Sequence, residues 1–158
     1  MQLFLPSSQS EIIQELDIGS AFKIGYINNQ SKIEIGDLSI EFFRTVHPIE
    51  CYGFIVRSGV RKLVYTADTA YDERLIDSAR SADLLLCEAT FSEDRYLPNG
   101  LSNHLTSRTA AQIARSANVN RLILTHFWYQ EEPDRMLDQA LSIFPNTSLA
   151  VEFQTFEI

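Results

Sequence analysis

The chain has 158 residues, 45% of them hydrophobic and 22% charged, the size and composition of one globular domain that buries roughly 70% of its unfolded surface around a single core. Thirteen basic against twenty-one acidic residues leave a net charge of -8, which repels nucleic acid and anionic membrane at long range and argues against a plain electrostatic binder of either. No window approaches 18 apolar residues, the start "MQLFLPSSQS" lacks the basic and long apolar segments of a signal peptide, and Cys51 and Cys87 lie far apart among apolar or aromatic neighbours, so a reduced, cytoplasmic protein is expected.

Residues 22 to 66 read as short β-runs, "FKIGYI", "KIEIGD", "LSIEFFRTV", "YGFIVRS" and "RKLVYT", parted by turn residues at Asn28-Asn29, Gly36-Asp37 and Ser58-Gly59. "KIEI" and "LSIEF" alternate as half-buried strands do. From Asp68 onward strand and helix take turns: a helical "DERLIDSARSA", the strand "DLLLCEAT", a polar loop, a second helix "TSRTAAQIARSAN", the strand "RLILTH", and a last helix "DRMLDQALSIF" after Pro133. Thr106 or Ser107 is placed to cap the second helix, and Asn118 suits the left-handed position at its end. Hairpin-like strands followed by apolar strands alternating with helices predict a mixed α/β sandwich, antiparallel first and parallel later.

Three consecutive apolar strands end on ionisable residues: "LVYTAD" on Asp68, "LLLCE" on Glu88 and "LILTH" on His126. Ligands bind beyond the carboxyl ends of strands in open α/β sheets, so these three side chains are placed to converge. His47 ends "IEFFRTV" before Pro48, and His104 stands just ahead of the second helix, where the helix dipole favours an anion and disfavours an imidazolium. Imidazoles with a carboxylate suit zinc, and manganese or iron less well; a divalent ion brings the pKa of bound water to about 7 and polarises a phosphoryl or carbonyl oxygen. Each residue also has a plainer reading: His126 as a satisfied boundary residue, Asp68 as a helix cap, Glu88 as the partner of a basic side chain, Cys87 as core, and the "HFWY" rings as cover for the core rather than a site lining.

The stretches "TVHPIECYGF", "LVYTADT", "LLLCEATF", "NHLTSRTAAQIARSANV" and "LILTHF", in that order, resemble the later motifs of the metallo-β-lactamase superfamily, most closely its ribonuclease Z-like branch, and the closing "SIFPNTSLAVEFQTFEI" is similar to that branch's C-terminal end. The similarity runs from about residue 38 to 158 and less distinctly over the first 37. It implies His47 as a ligand to one metal, Asp68 as a bridge between two, His126 as a ligand to the second, and two zinc ions about 3.5 to 4 Å apart clamping the attacking and leaving oxygens. His104 matches the family histidine near the scissile phosphate, and Glu88 a family position beside the site, which makes both candidates for catalytic roles.

The superfamily's HxHxDH signature is absent from this chain, which has three histidines in all. Without it each metal would hold at most two protein ligands, against three in an open catalytic zinc site. Residues 1–158 are therefore expected to form a single domain, the C-terminal part of an αββα metallo-β-lactamase sandwich lacking its N-terminal segment, with bared apolar surface that favours a homodimer. His47 and Asp68 are only 21 positions apart, where ribonuclease Z carries an arm that grips transfer RNA. The expected substrate is accordingly a smaller phosphodiester or other hydrolysable molecule, with no transfer RNA and no membrane partner. The alternatives are a catalytically silent fragment with an interaction role and a lactonase or other small-ester hydrolase.

Overall fold

A computed structural model describes residues 1–9, 22–95 and 103–158. Most of the polar loop expected ahead of the second helix, residues 96–102, lies outside the described residues. β1 (Gln2–Pro6) and β2 (Lys23–Ile27) form a two-stranded parallel sheet. The other strands, β3 (Lys32–Ile35), β4 (Leu38–Arg44), β5 (Tyr52–Ser58), β6 (Arg61–Tyr65), β7 (Leu84–Glu88), β8 (Arg121–Thr125) and β9 (Thr147–Leu149), make one sheet in chain order. Pairing is antiparallel from β3 to β6 and parallel from β6 to β9.

The antiparallel half follows from its turns. Ile35 pairs with Leu38 and Ser58 with Arg61, leaving two-residue loops that open on Gly36 (φ +61°) and Gly59 (φ +55°). A two-residue hairpin turn with glycine at its first central position matches the right-handed twist of the strands it joins. Gly53 is needed for another reason: a Cβ there would stand 2.7 Å from the Tyr65 carbonyl oxygen and 2.3 Å from the Phe43 ring.

In the parallel half, each crossover carries one helix: α1 (Arg74–Ala79), α2 (Ser107–Ser116) and α3 (Pro133–Leu141). The three crossovers step the same way along the sheet, so their common right-handedness stacks the helices on one face. Val64, Leu85, Cys87, Leu122 and Leu124 point to that face and form the core with Ala110, Ile113, Ala114, Met136 and Ala140. The opposite face carries Phe42, Phe54 and Tyr65 as cross-strand neighbours, each half-buried.

α2 begins as its sequence predicts. Thr106 is extended (φ -93°, ψ 161°), its hydroxyl accepts from Thr109 N at 3.1 Å, and Asn118 takes the left-handed conformation (φ +52°) beyond the end. Thr106→Ala should lower unfolding free energy by about 1 kcal/mol, read as an earlier urea midpoint with an unchanged slope. α1 is shorter than "DERLIDSARSA" suggests. Ser81 turns left-handed (φ +53°) and donates its backbone N–H to Ala117 O at 2.8 Å, tying the segment after α1 to the end of α2 instead of continuing the helix.

Candidate metal centre

Four segments bring the site together at the carboxyl ends of β4, β6, β7 and β8. The turn after β4 carries His47 and the turn after β6 carries Asp68, and the two are stitched to each other. Val46 N donates to Thr69 Oγ1 (3.2 Å), Thr69 Oγ1 donates to Ala70 O (2.8 Å), and Ala70 N donates to Val46 O (2.8 Å). Ala67, just before Asp68, and His126, just after β8, both sit in the left-handed region at φ +51° and +60°. Non-glycine residues held there cost of order 1–3 kcal/mol each, and such positions cluster at functional sites. Asp68 does not cap a helix: α1 starts six residues later, and Asp72 serves its first turn by accepting from Arg74 N at 2.9 Å.

Glu88 lies under the cluster with no solvent exposure. Its Oε1 accepts from Thr69 N (2.8 Å) and His104 Nδ1 (2.9 Å). Its Oε2 accepts from Thr90 Oγ1 (2.7 Å), Leu105 N (3.1 Å) and Thr90 N (3.2 Å). A carboxylate offers about four lone-pair positions, and five donors already share these. Among the described residues Glu88 thus pairs with no Lys or Arg, and its lone pairs are taken up by these donors. It fixes the Asp68 turn, the segment ahead of α2 and the His104 ring to one point.

The proton positions follow from this network. A carboxylate only accepts, so His104 donates through Nδ1, and its chemistry in the cluster belongs to Nε2. Thr90 has one hydroxyl proton and gives it to Glu88; its 2.8 Å contact with His126 Nδ1 is then one in which the hydroxyl accepts and the imidazole donates. The bond turns the opposite nitrogen, His126 Nε2, towards Asp68 Oδ1 at 3.5 Å. A carboxylate oxygen and a ring nitrogen so placed are held together by a positive charge, a proton on the ring or a cation bound between them.

The surroundings fit a divalent cation. His47, Asp68 and His104 each place a ligand atom within 4.8 Å of the others, as do Glu88, His104 and His126. The second grouping is spent on internal hydrogen bonds through Glu88, which leaves Asp68 as the member shared between His47 on one side and His126 on the other. The imidazoles of His47 and His104 meet edge to face at 5.2 Å, and those of His104 and His126 stack at 5.3 Å. His47 Nδ1 is buried without a hydrogen-bond partner among the described residues, a costly state for a polar ring atom unless something absent from the protein chain satisfies it.

The helix dipole alone predicts a discouraged imidazolium at His104; the structure reverses this. The Glu88 hydrogen bond raises its pKa above the usual histidine value, burial works against it, and the charges of Glu88 and Asp68 add to the rise. All five residues singled out in the sequence, His47, Asp68, Glu88, His104 and His126, are in this one neighbourhood. Sequence reasoning missed Thr90 and Thr69, whose hydroxyls orient His126 and join the two ligand turns. The available signal was the threonine two residues past Glu88, at the mouth of the same strand. Thr90→Val keeps the shape and removes the hydroxyl, so zinc affinity should fall about tenfold to a hundredfold while Thr90→Ser retains it, as read by competition with a chromogenic chelator.

Comparison with known proteins identifies the family and the fold. A family model described as a β-lactamase superfamily domain matches residues 3–127. Ribonuclease Z of Archaeoglobus fulgidus is 35% identical over 130 residues, covering 81% of this chain and 42% of that protein. A probable metallo-hydrolase of Bacillus subtilis, YhfI, is 34% identical over 110 residues, covering 69% of this chain and 44% of its own. The chain thus spans less than half the length of either relative. The crystal structure of YhfI superposes with a TM-score of 0.85 at 27% identity, covering 94% of this chain and 62% of that one. Human tRNase Z, short form, shares the fold at a TM-score of 0.74 and 19% identity, covering 99% of this chain and 66% of that one. With a family model matched over most of its length and ribonuclease Z among its relatives, the chain belongs to the metallo-β-lactamase superfamily, in its ribonuclease Z-like branch.

Proposed function

We propose that the protein is a metal-dependent hydrolase acting on a phosphodiester-type bond. His47 and Asp68 would hold one ion, Asp68 and His126 a second, and zinc is the ion that best suits these nitrogen and oxygen donors. The observation that carries the reading is His126 Nε2 facing Asp68 Oδ1 at 3.5 Å, beside a buried His47 nitrogen without a hydrogen-bond partner among the described residues. A bound divalent ion supplies a water ionised near neutral pH and a positive centre for the phosphoryl oxygen.

The remaining work falls to the chain itself. Glu88 holds the His104 ring by Nδ1 and favours its charged form, so Nε2 can give a proton to the leaving oxygen. Thr90 fixes the His126 tautomer. A small substrate is favoured over transfer RNA for two reasons. Strands β5 and β6 are joined by a two-residue turn with no arm, and the net charge of -8 opposes a polyanion, which gains its affinity by neutralising phosphates with lysine and arginine.

Hydrolysis of bis(p-nitrophenyl) phosphate by the zinc- or manganese-loaded chain, abolished by a chelator and by His47→Ala, is the expected result. Hydrolysis that survives both would refute the site. A lactone tested in the same panel addresses the carbonyl-directed alternative. One observation favours the silent alternative: with Glu88 committed to hydrogen bonds and His104 assigned to proton transfer, the described residues give each ion two protein ligands, one fewer than an open catalytic zinc site uses. An inactive chain that also fails to bind metal would support that reading.

A further inference from the structure

Beyond His126 the chain sends its side chains in different directions. Phe127 packs against the core, whereas Trp128 and Tyr129 stay 44% and 79% exposed. They are not isolated on the surface. Phe91 meets the His104 ring edge-on at 6.2 Å, Trp128 lies against Phe91 at 6.2 Å and 42°, and Tyr129 lies against Trp128 at 5.1 Å and 46°. The rings thus run outward in series from the imidazole placed at the reacting bond.

The series is held in position by backbone bonds. Trp128 N donates to Thr90 O (3.0 Å), Ser107 N donates to Phe91 O (3.1 Å), and Phe91 N donates to Leu105 O (3.3 Å). Gln130 Nε2 donates to the Tyr129 hydroxyl at 2.8 Å. Rings anchored in this way but left bare add little to the core; they offer flat faces at low entropic cost to a planar ligand. Glu131 and Glu132 follow directly, so the outer end of the series repels further phosphates. A single uncharged ring suits it better than a nucleic-acid strand.

We propose that Phe91, Trp128 and Tyr129 form the subsite for a planar aromatic group, a nucleobase or an aryl ring, carried by the phosphodiester whose scissile bond lies at His104 and Asp68. This rests on the hydrolytic reading above, and its test does not require turnover. Trp128 is the only tryptophan in the chain, so its fluorescence reports on this surface directly. The unmodified protein is titrated with adenosine 5′-monophosphate, phenyl phosphate and ribose 5-phosphate at fixed ionic strength.

Saturable quenching by the nucleotide, by phenyl phosphate or by both, at concentrations at least about tenfold below any effect of ribose 5-phosphate, is expected. Quenching by the nucleotide alone assigns the subsite to nucleobases, and by both to any planar ring. Tyr129→Ala should raise the half-saturating concentration about fivefold. The same response to ribose 5-phosphate as to the ring-bearing compounds, or no saturable response to either of those, overturns the proposal. Quenching in a protein that hydrolyses nothing would sink the hydrolytic reading and leave the ring subsite standing; hydrolysis without quenching would do the reverse.

Discussion

Asp68→Ala should lower kcat/KM for bis(p-nitrophenyl) phosphate by about a thousandfold and leave the fold nearly unchanged. Asp68 is the one carboxylate of the cluster that is not committed to backbone donors, and it stands between His47 and His126. In the proposed reading its loss removes the negative charge that would draw a divalent ion to each side. Its side chain is 32% exposed and caps no helix, so unfolding free energy should change by less than about 0.5 kcal/mol. Asp68→Asn preserves the shape without the charge and should be as inactive as alanine. Rates for both variants within about tenfold of the parent would show that the charge at Asp68 does not hold the ion.

Glu88→Ala should do the opposite, costing stability first. It strips one acceptor from Thr69 N, Thr90 N, Thr90 Oγ1, Leu105 N and His104 Nδ1 at once, in a place water does not reach. Removing the charged partner of a buried network costs about 3–5 kcal/mol. For a chain of this length the thermal midpoint should drop by about 10 °C.

Glu88→Gln is milder and separates the electrostatic role from the structural one. The Glu88 hydrogen bond and charge raise the pKa of His104. A raised histidine pKa contributes stability that is fully present below the unfolded value of about 6.5 and is lost as pH climbs through the folded value. If the protonated ring serves the leaving oxygen, the alkaline limb of kcat lies above about pH 6.5 in the parent and moves to lower pH in Glu88→Gln. A limb that stays in place would remove His104 from the proton transfer.

Much of this was legible in the chain. Apolar runs that stop on Asp68, Glu88 and His126 fix which ends of the strands matter, and a parallel sheet brings consecutive ends to one edge. The Thr106 cap and the left-handed Asn118 follow from local chemistry. β1 and β9 did not show. β1 is five residues ending on a proline whose partner β2 begins at Lys23, and β9 is three residues whose place comes from register with Leu122 and Leu124; neither has a pattern of its own long enough to read. Thr69 and Thr90 were invisible for a related reason: a threonine at a strand end looks like any turn residue until its partners, Val46, Glu88 and His126, are brought to it by the fold. His104 shows how a local rule loses to a long-range one, since the hydrogen bond to Glu88 outweighs burial and raises the pKa that the position before a helix would lower.

Calorimetric titration of zinc into the metal-free chain tests the central claim most directly. Saturable uptake in the parent that is severely weakened by His47→Ala, by His126→Ala and by Asp68→Ala alike is the predicted result. Uptake of equal strength in the parent and in the Asp68→Ala, His126→Ala double variant, or no uptake by the parent at all, would contradict it.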